Sequence, residues 1–426
     1  MKIVHISPGS GGTFYCENCL KDTALVLALR RLGHDCLVTP MYLPFFLDGS
    51  EIAEDSPVFF GGVNTYLQQH LPVFRKTPRW LDQMFDARWV LKLAASREGS
   101  TQAEGLGAMT FSVLQAEAGN QAKELERMIR WLREQEQPDV IHISMVLLAG
   151  LAKPLKEALG VPVVCSLHDE DVWIDKLDGD YAQQCWDQIR RCLSHCDALV
   201  TVSHYYRDLM SQRLSLSNPP QVVPVGIEHT GYELAEFANP PVMGYLSKLC
   251  PSLGLGIFVD AFILLKHRPG LEPLRLAAMG GLTGSDRDYV AGLRRKLAAF
   301  GFEQDAVFHE KLDREARIQM LKSLRVLSVP MPGGEAFGTF MVEAWAAGVP
   351  VVQPDAGGFR ELVQQSGGGR IYDNTTPEGL AAALEPLLRD ADLARSLGEA
   401  GRSVAQQEFS VDTMAERMVN IYESVV

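Results

Sequence analysis

Residues 333–362 read GGEAFGTFMVEAWAAGVPVVQPDAGGFREL. The order is loop, helix, short buried strand, second glycine loop and the start of a second helix. Just upstream, the apolar run VLSVPM (326–331) predicts a strand, so Glu335 falls in a polar, glycine-flanked loop straight after it. The helix predicted over 339–347 opens at Phe337-Gly338-Thr339. Its first backbone N–H groups have no intrahelical partner there, and the helix dipole favours an anion. Gly338 carries no Cβ, so a phosphate can approach that backbone closely. Glu343 lies eight residues after Glu335, roughly one turn inside the helix. One carboxylate therefore stands before the anion site and the other beside it. Carboxylates accept hydrogen bonds from hydroxyls, so the stretch suits a ligand with hydroxyls at both ends and phosphate in the middle.

The pair Glu335-x7-Glu343 in EAFGTFMVE, followed by AxxxGVPVV and GGFRE, resembles the family 4 retaining glycosyltransferases of the GT-B fold. The likeness is close through most of the C-terminal half and looser through the N-terminal half. It implies an α/β architecture of two doubly wound, Rossmann-like domains facing across a cleft. On that reading residues 1–235 form the acceptor-side domain, with a helical segment over about 74–136. Residues 236–408 form the nucleotide-sugar domain, and a tail helix over 409–426 returns to the first domain. The implied activity is that of a hexosyltransferase-type enzyme (EC 2.4). A sugar passes from a nucleotide diphosphate donor, with a UDP-sugar favoured, to a glycan, lipid or small-molecule acceptor. The resemblance implies neither a metal nor a further cofactor.

The resemblance also assigns roles. Glu335 would hold sugar hydroxyls near the anomeric centre, and Glu343 the ribose hydroxyls. Phe337, Gly338 and Thr339 would supply phosphate contacts through backbone and hydroxyl, and the base would rest near Lys311 and Leu312. His168, backed by Asp169, follows the strand after which relatives commonly place a histidine near donor phosphate and acceptor. Gly11 and Gly12 belong to the first glycine loop, which in this fold faces the cleft beneath the diphosphate. SKLCPSLG (247–254) aligns without gaps on the family's GRLxxxKG phosphate loop. Lys248 then stands for the arginine, and Leu253 stands where the family has lysine. That departure weakens the electrostatic clamp on the diphosphate.

With 426 residues the chain has room for two domains, each with a full core. The net charge of −13 argues against an electrostatic footprint for nucleic acid. Met1 leads straight into the predicted strand KIVHIS, and no apolar run approaches the length of a membrane span, so the expected location is the cytoplasm. VFRKTPRWLDQMFDARWVLKL mixes cations with Trp80, Phe85 and Trp89. Residues 74–97 could thus touch an anionic membrane at its inner face, or pack as an amphipathic helix with charges in water. The charge pattern of KELERMIRWLREQEQ marks an exposed helix.

Read in order, KIVHIS, a glycine-rich turn, a helix over 22–32 and the strand DCLVTPM open a parallel α/β sheet. The turn lacks the G-x-G-x-x-G spacing, and the second strand ends without the acidic residue that would hold a ribose, which argues against a Rossmann dehydrogenase. DVIHIS, VPVVCSLHD and DALVTVS continue that sheet, and PQVVPVGIEHTGY crosses between domains. From about residue 240 the alternation of strand and helix begins again. Eight cysteines in so long a chain do not suggest a disulfide framework. Cys16-x-x-Cys19 offers a thiol-redox reading, and Cys185, Cys192, His195 and Cys196 a metal or core reading. A thiol reading requires exchange activity lost in Cys16→Ser. A noncatalytic sugar-nucleotide-binding partner of another transferase, suggested by Leu253, is separated from the enzyme by donor hydrolysis or transfer.

Overall fold

Each half of the chain alternates strand and helix, and each gathers its strands into one six-stranded parallel sheet. This description rests on a computed structural model, which describes residues 1–8, 17–42, 46–47, 50–51, 57, 59–60, 62–76, 103, 105–309 and 312–426. The first sheet contains β1 (Lys2–Ser7), β2 (Asp35–Pro40), β5 (Val140–Ile143), β6 (Val163–Leu167), β7 (Ala198–Thr201) and β8 (Gln221–Val222), in the order β2-β1-β5-β6-β7-β8. A small antiparallel pair, β3 (Phe46–Leu47) and β4 (Ser50–Glu51), stands apart from it. The second sheet contains β9 (Val242–Leu246), β10 (Arg275–Met279), β11 (Ala306–His309), β12 (Val326–Leu327), β13 (Val351–Pro354) and β14 (Gly369–Tyr372). Its order is β11-β10-β9-β12-β13-β14. Strands covered by helices on both faces read as unbroken apolar runs, and β5 and β6 are buried along their whole length.

The strand order in each sheet reverses at one place, β1/β5 in the first and β9/β12 in the second. Open parallel sheets bind ligands beyond the carboxyl ends of strands at such a switch point. Lys248 follows β9, Glu335 follows β12, and His168 follows β6, so the topology sends all three to strand ends.

The last helix, Val411–Val425, packs against the helix Glu17–Arg31 of the first half. Met414, Met418, Ile421 and Tyr422 share a buried cluster with Leu25, Val26 and Leu29. Backbone bonds tie its start to the interdomain crossing, Ile227 N to Phe409 O at 2.9 Å and Val411 N to Ile227 O at 3.0 Å. At its far end the Tyr422 hydroxyl lies 2.8 Å from His142 Nδ1. His142 also neighbours His5 Nδ1 at 3.2 Å, and His5 Nε2 sits 3.3 Å from Asp22.

Three local expectations are corrected. The run 326–331 is a strand only over Val326–Leu327. Pro330 has no N–H, and Val329 N turns to the Gln353 side chain, so the ladder stops. The first helix begins at Glu17, five residues before the predicted start, which places Glu17 in its first turn. The helix Ala122–Trp131 is not exposed throughout: Glu124 is buried and receives a hydrogen bond from Gln68 Nε2 at 3.1 Å. Of the segment 74–97, residues 77–97 lie outside the described residues. Among the described residues no helix is long and apolar enough to cross a membrane. Cys185 and Cys192 are buried in the core, and Cys16 lies outside the described residues.

Candidate active site

Glu335 is held by glycines on both sides. Gly334 has φ +68° and Gly357 φ +58°, conformations open to glycine at little cost. A Cβ on Gly357 would stand 2.4 Å from the Glu335 carbonyl oxygen, and Gly358 N donates to that same oxygen at 2.7 Å. The second glycine loop therefore wraps the backbone of the first glutamate. Gly338, at φ +97°, is the N-cap of the helix Thr339–Ala346, and having no side chain it leaves the helix start uncapped by its own segment.

The first domain supplies what that helix start lacks. Thr339 N donates to Glu17 Oε2 at 3.0 Å, and Ala336 N donates to Asp169 Oδ1 at 2.6 Å. Ser203 Oγ donates to Ala336 O at 2.6 Å. In the opposite sense, His204 N and Tyr205 N donate to the Glu361 carboxylate at 3.0 and 2.8 Å. Two helix starts thus face carboxylates of the other domain.

Glu17, Asp169 and Glu335 converge on this seam. Burial pushes Glu17 up to about 7 and Asp169 up to about 8, although each accepts a backbone hydrogen bond that pulls the other way. Burial, and then the charges of Glu17 and Asp169, hold Glu335 well above the usual carboxylate range. Glu17 Oε1 and Glu335 Oε2 are both buried with no donor among the described residues. A proton kept on Glu335 and shared with Glu17 satisfies both. His168, 2% exposed, is pushed well below the usual histidine range by burial and then by the nearby Lys21 charge. It is neutral, and its Nδ1 is buried without a partner among the described residues.

Glu343 is 3% exposed; its Oε1 accepts from the Tyr232 hydroxyl at 2.7 Å and from Arg317 Nε at 3.2 Å. Arg317 also donates to Leu312 O at 2.8 Å. One guanidinium thereby links the two positions assigned to ribose and base. Beside them lies a cavity of about 440 Å³ whose lining includes Lys21, Ala24, Tyr232, Arg317, Thr339 and Glu343. That is within the size range of small-molecule sites.

Two expectations change in this setting. Lys248 is not a bare cation aimed at phosphate, because its Nζ lies 3.1 Å from Asp286. Leu253 is not merely a missing charge: its side chain packs against the core, and its carbonyl accepts from the Tyr245 hydroxyl at 3.2 Å. The Phe337 ring is core, edge-on to Phe409 at 5.7 Å, so only its backbone could meet a phosphate. Gly11, Gly12 and Lys311 lie outside the described residues. Sequence reading missed Glu17, and it quoted Ser203 and Glu361 within DALVTVS and GGFRE without giving either a role in the seam. Glu17 sits inside Cys-Glu-Asn-Cys, where an acid in the first turn of a helix is so ordinary that it draws no notice.

Residues 232–404 match the family described as glycosyl transferases group 1, and residues 60–230 match the one described as glycosyltransferase family 4. The chain belongs to the family 4 glycosyltransferases of the GT-B fold. It is 30% identical over 184 residues to the D-inositol 3-phosphate glycosyltransferase of Jonesia denitrificans, a match covering 43% of this chain and 42% of that relative. The chain thus matches less than half the length of that relative. Over 316 residues it is 27% identical to the GDP-mannose-dependent monoacylated alpha-(1-6)-phosphatidylinositol monomannoside mannosyltransferase of Corynebacterium glutamicum. That match covers 70% of this chain and 79% of the other. Among solved structures, Anabaena Alr3699/HepE in complex with UDP-glucose superposes over the full length of both chains, with TM-score 0.69 and 17% identity.

Proposed function

We propose that this glycosyltransferase moves a sugar, with retention at the anomeric carbon and without a metal, from a nucleotide diphosphate donor to a hydroxyl acceptor. The observation that carries this reading is the 2.6 Å bond from Ala336 N to Asp169. It brings His168 of the first sheet and Glu335 of the second to one seam, beside the start of the helix Thr339–Ala346. Diphosphate oxygens would take the N–H groups of that helix start, and Lys248 would have to leave Asp286 to reach them. Glu335 would accept sugar hydroxyls and Glu343 ribose hydroxyls. In the transfer, the bond from C1 to the diphosphate oxygen breaks while the acceptor oxygen bonds C1 on the same face. The acceptor proton passes to the departing phosphate oxygen.

A thermal-shift screen with UDP-, GDP- and ADP-sugars tests the reading, because ligand at about 100 times its dissociation constant adds roughly 2.7 kcal/mol of stability. UDP-sugars are the favoured donors, in line with the UDP-glucose held by the Anabaena relative. GDP-mannose is the competing choice, in line with the mannosyltransferase. Chelation by EDTA should leave turnover intact, and NMR of the product should show an α linkage. No shift with any donor, together with no donor hydrolysis, would leave a noncatalytic chain.

His168→Ala is expected to reduce transfer while the melting temperature stays within a few degrees, since its Nδ1 has no partner to lose among the described residues. A large stability loss with normal turnover per folded molecule would place His168 outside the chemistry. Leu253→Lys should tighten nucleoside diphosphate binding by roughly 10-fold or more, most at low salt. Its aliphatic stem can keep the packing while the ammonium reaches out. Calorimetric titration of both forms decides it: equal affinities would mean that position 253 does not face the diphosphate.

A further inference from the structure

The helix Thr339–Ala346 has glycine at its N-cap, and no side chain caps it from its own segment. The carboxylate on its first N–H, 3.0 Å from Thr339 N, comes from Glu17, 322 residues away in sequence. The other oxygen of that carboxyl is buried against the Glu335 carboxyl, whose proton it shares, so the cap faces the group of residues assigned to the sugar and not solvent.

We propose that Glu17 is a displaceable anionic cap, seated on Thr339 N–H where the donor diphosphate binds, and that the donor must evict it. The inference rests on reading this helix start as the diphosphate seat. A helix N-terminus accepts carboxylate and phosphate for the same reasons, and one N–H cannot serve both fully. Asp169 and Ser203 both bond Ala336 in the same seam, so the exchange occurs where the two domains touch.

The test is calorimetric titration of UDP, GDP and ADP into the full-length chain and into Glu17→Ala, Glu17→Gln and Glu17→Asp, each checked by thermal melting. A helix cap lost to the ligand predicts about two- to thirtyfold tighter binding in Glu17→Ala. Glu17→Gln should tighten less, because an amide oxygen caps more weakly than a carboxylate. Glu17→Asp separates occupancy from simple repulsion: it keeps the charge but is one methylene too short for Thr339 N. Tighter binding in all three variants supports the proposal. Tightening in Ala and Gln with Asp unchanged would reduce it to general repulsion and overturn it. Unchanged or weaker binding in every folded variant overturns it and leaves the diphosphate seat standing. Failure of all three nucleotides to bind any form removes the seat itself.

Discussion

Glu335→Gln is expected to lower kcat by about 10²–10³ while changing nucleoside diphosphate affinity severalfold at most. The glutamine keeps the shape that Gly334, Gly357 and Gly358 enclose, so the loop should survive. What disappears is a carboxyl group at the anomeric end, where charge develops as the sugar leaves its phosphate. Stability should move the other way with pH. Glu17, Asp169 and Glu335 all have folded-state values raised above the ordinary range. For Glu17 and Asp169 the contribution is present below about pH 4.5 and is lost as pH rises through 7 to 8. The wild type should therefore lose melting temperature between pH 5 and 8. Glu335→Gln donates to Glu17 through an N–H that does not titrate, so its loss over the same range should be smaller. Parallel melting curves across pH, with kcat and nucleotide titration at one pH, make the check. Equal loss of kcat and affinity would move Glu335 away from the sugar.

Glu343→Gln should be costly to the fold as well as to the ligand. The carboxylate and the Arg317 guanidinium are both almost fully buried, 3.2 Å apart. Removing one partner of a buried pair typically costs about 3–5 kcal/mol, because the remaining charge has left water without its counterion. Nucleotide binding should also weaken, by about 1.5–3 kcal/mol for a lost hydrogen bond to a charged group. Urea denaturation gives the first figure and calorimetry on folded protein the second. Tyr232→Phe is the control, since it deletes only the neutral donor to the same oxygen and should cost about 1 kcal/mol. A Glu343→Gln protein as stable as wild type would show that Arg317 is held by other groups.

The alternation that made both sheets legible is local: VIHI, VVCSL, VMGYL and RLAAM are apolar runs between turn and helix signals. The Glu335 loop was legible for a related reason, because glycines at fixed offsets report backbone approach without any partner being known. The bonds that complete the site were not. Glu17 meets Thr339 from 322 residues away, and Asp169 meets Ala336 from 167 away. Nothing within reach of either residue in the sequence announces those meetings. Glu343 was read as a ligand group from its spacing, but its bond to Tyr232 depends on where the interdomain crossing runs. Leu253 misled in the same way: a departure from a pattern showed what was missing, while the packing of the leucine showed what replaced it.

The tail helix sets how this protein can be recombined. A chimera joined once, near residue 240, would take the second sheet and the last helix from the same parent. That helix fills the cluster around Leu25, Val26 and Leu29, and its Tyr422 ends against His142 at 2.8 Å. A graft that respects the contacts needs two joints, the second just before Ser410, so that Val411–Val425 travels with residues of the opening half. Covalent order and structural allegiance differ here, and the second sheet with its helices can be exchanged only as an insert.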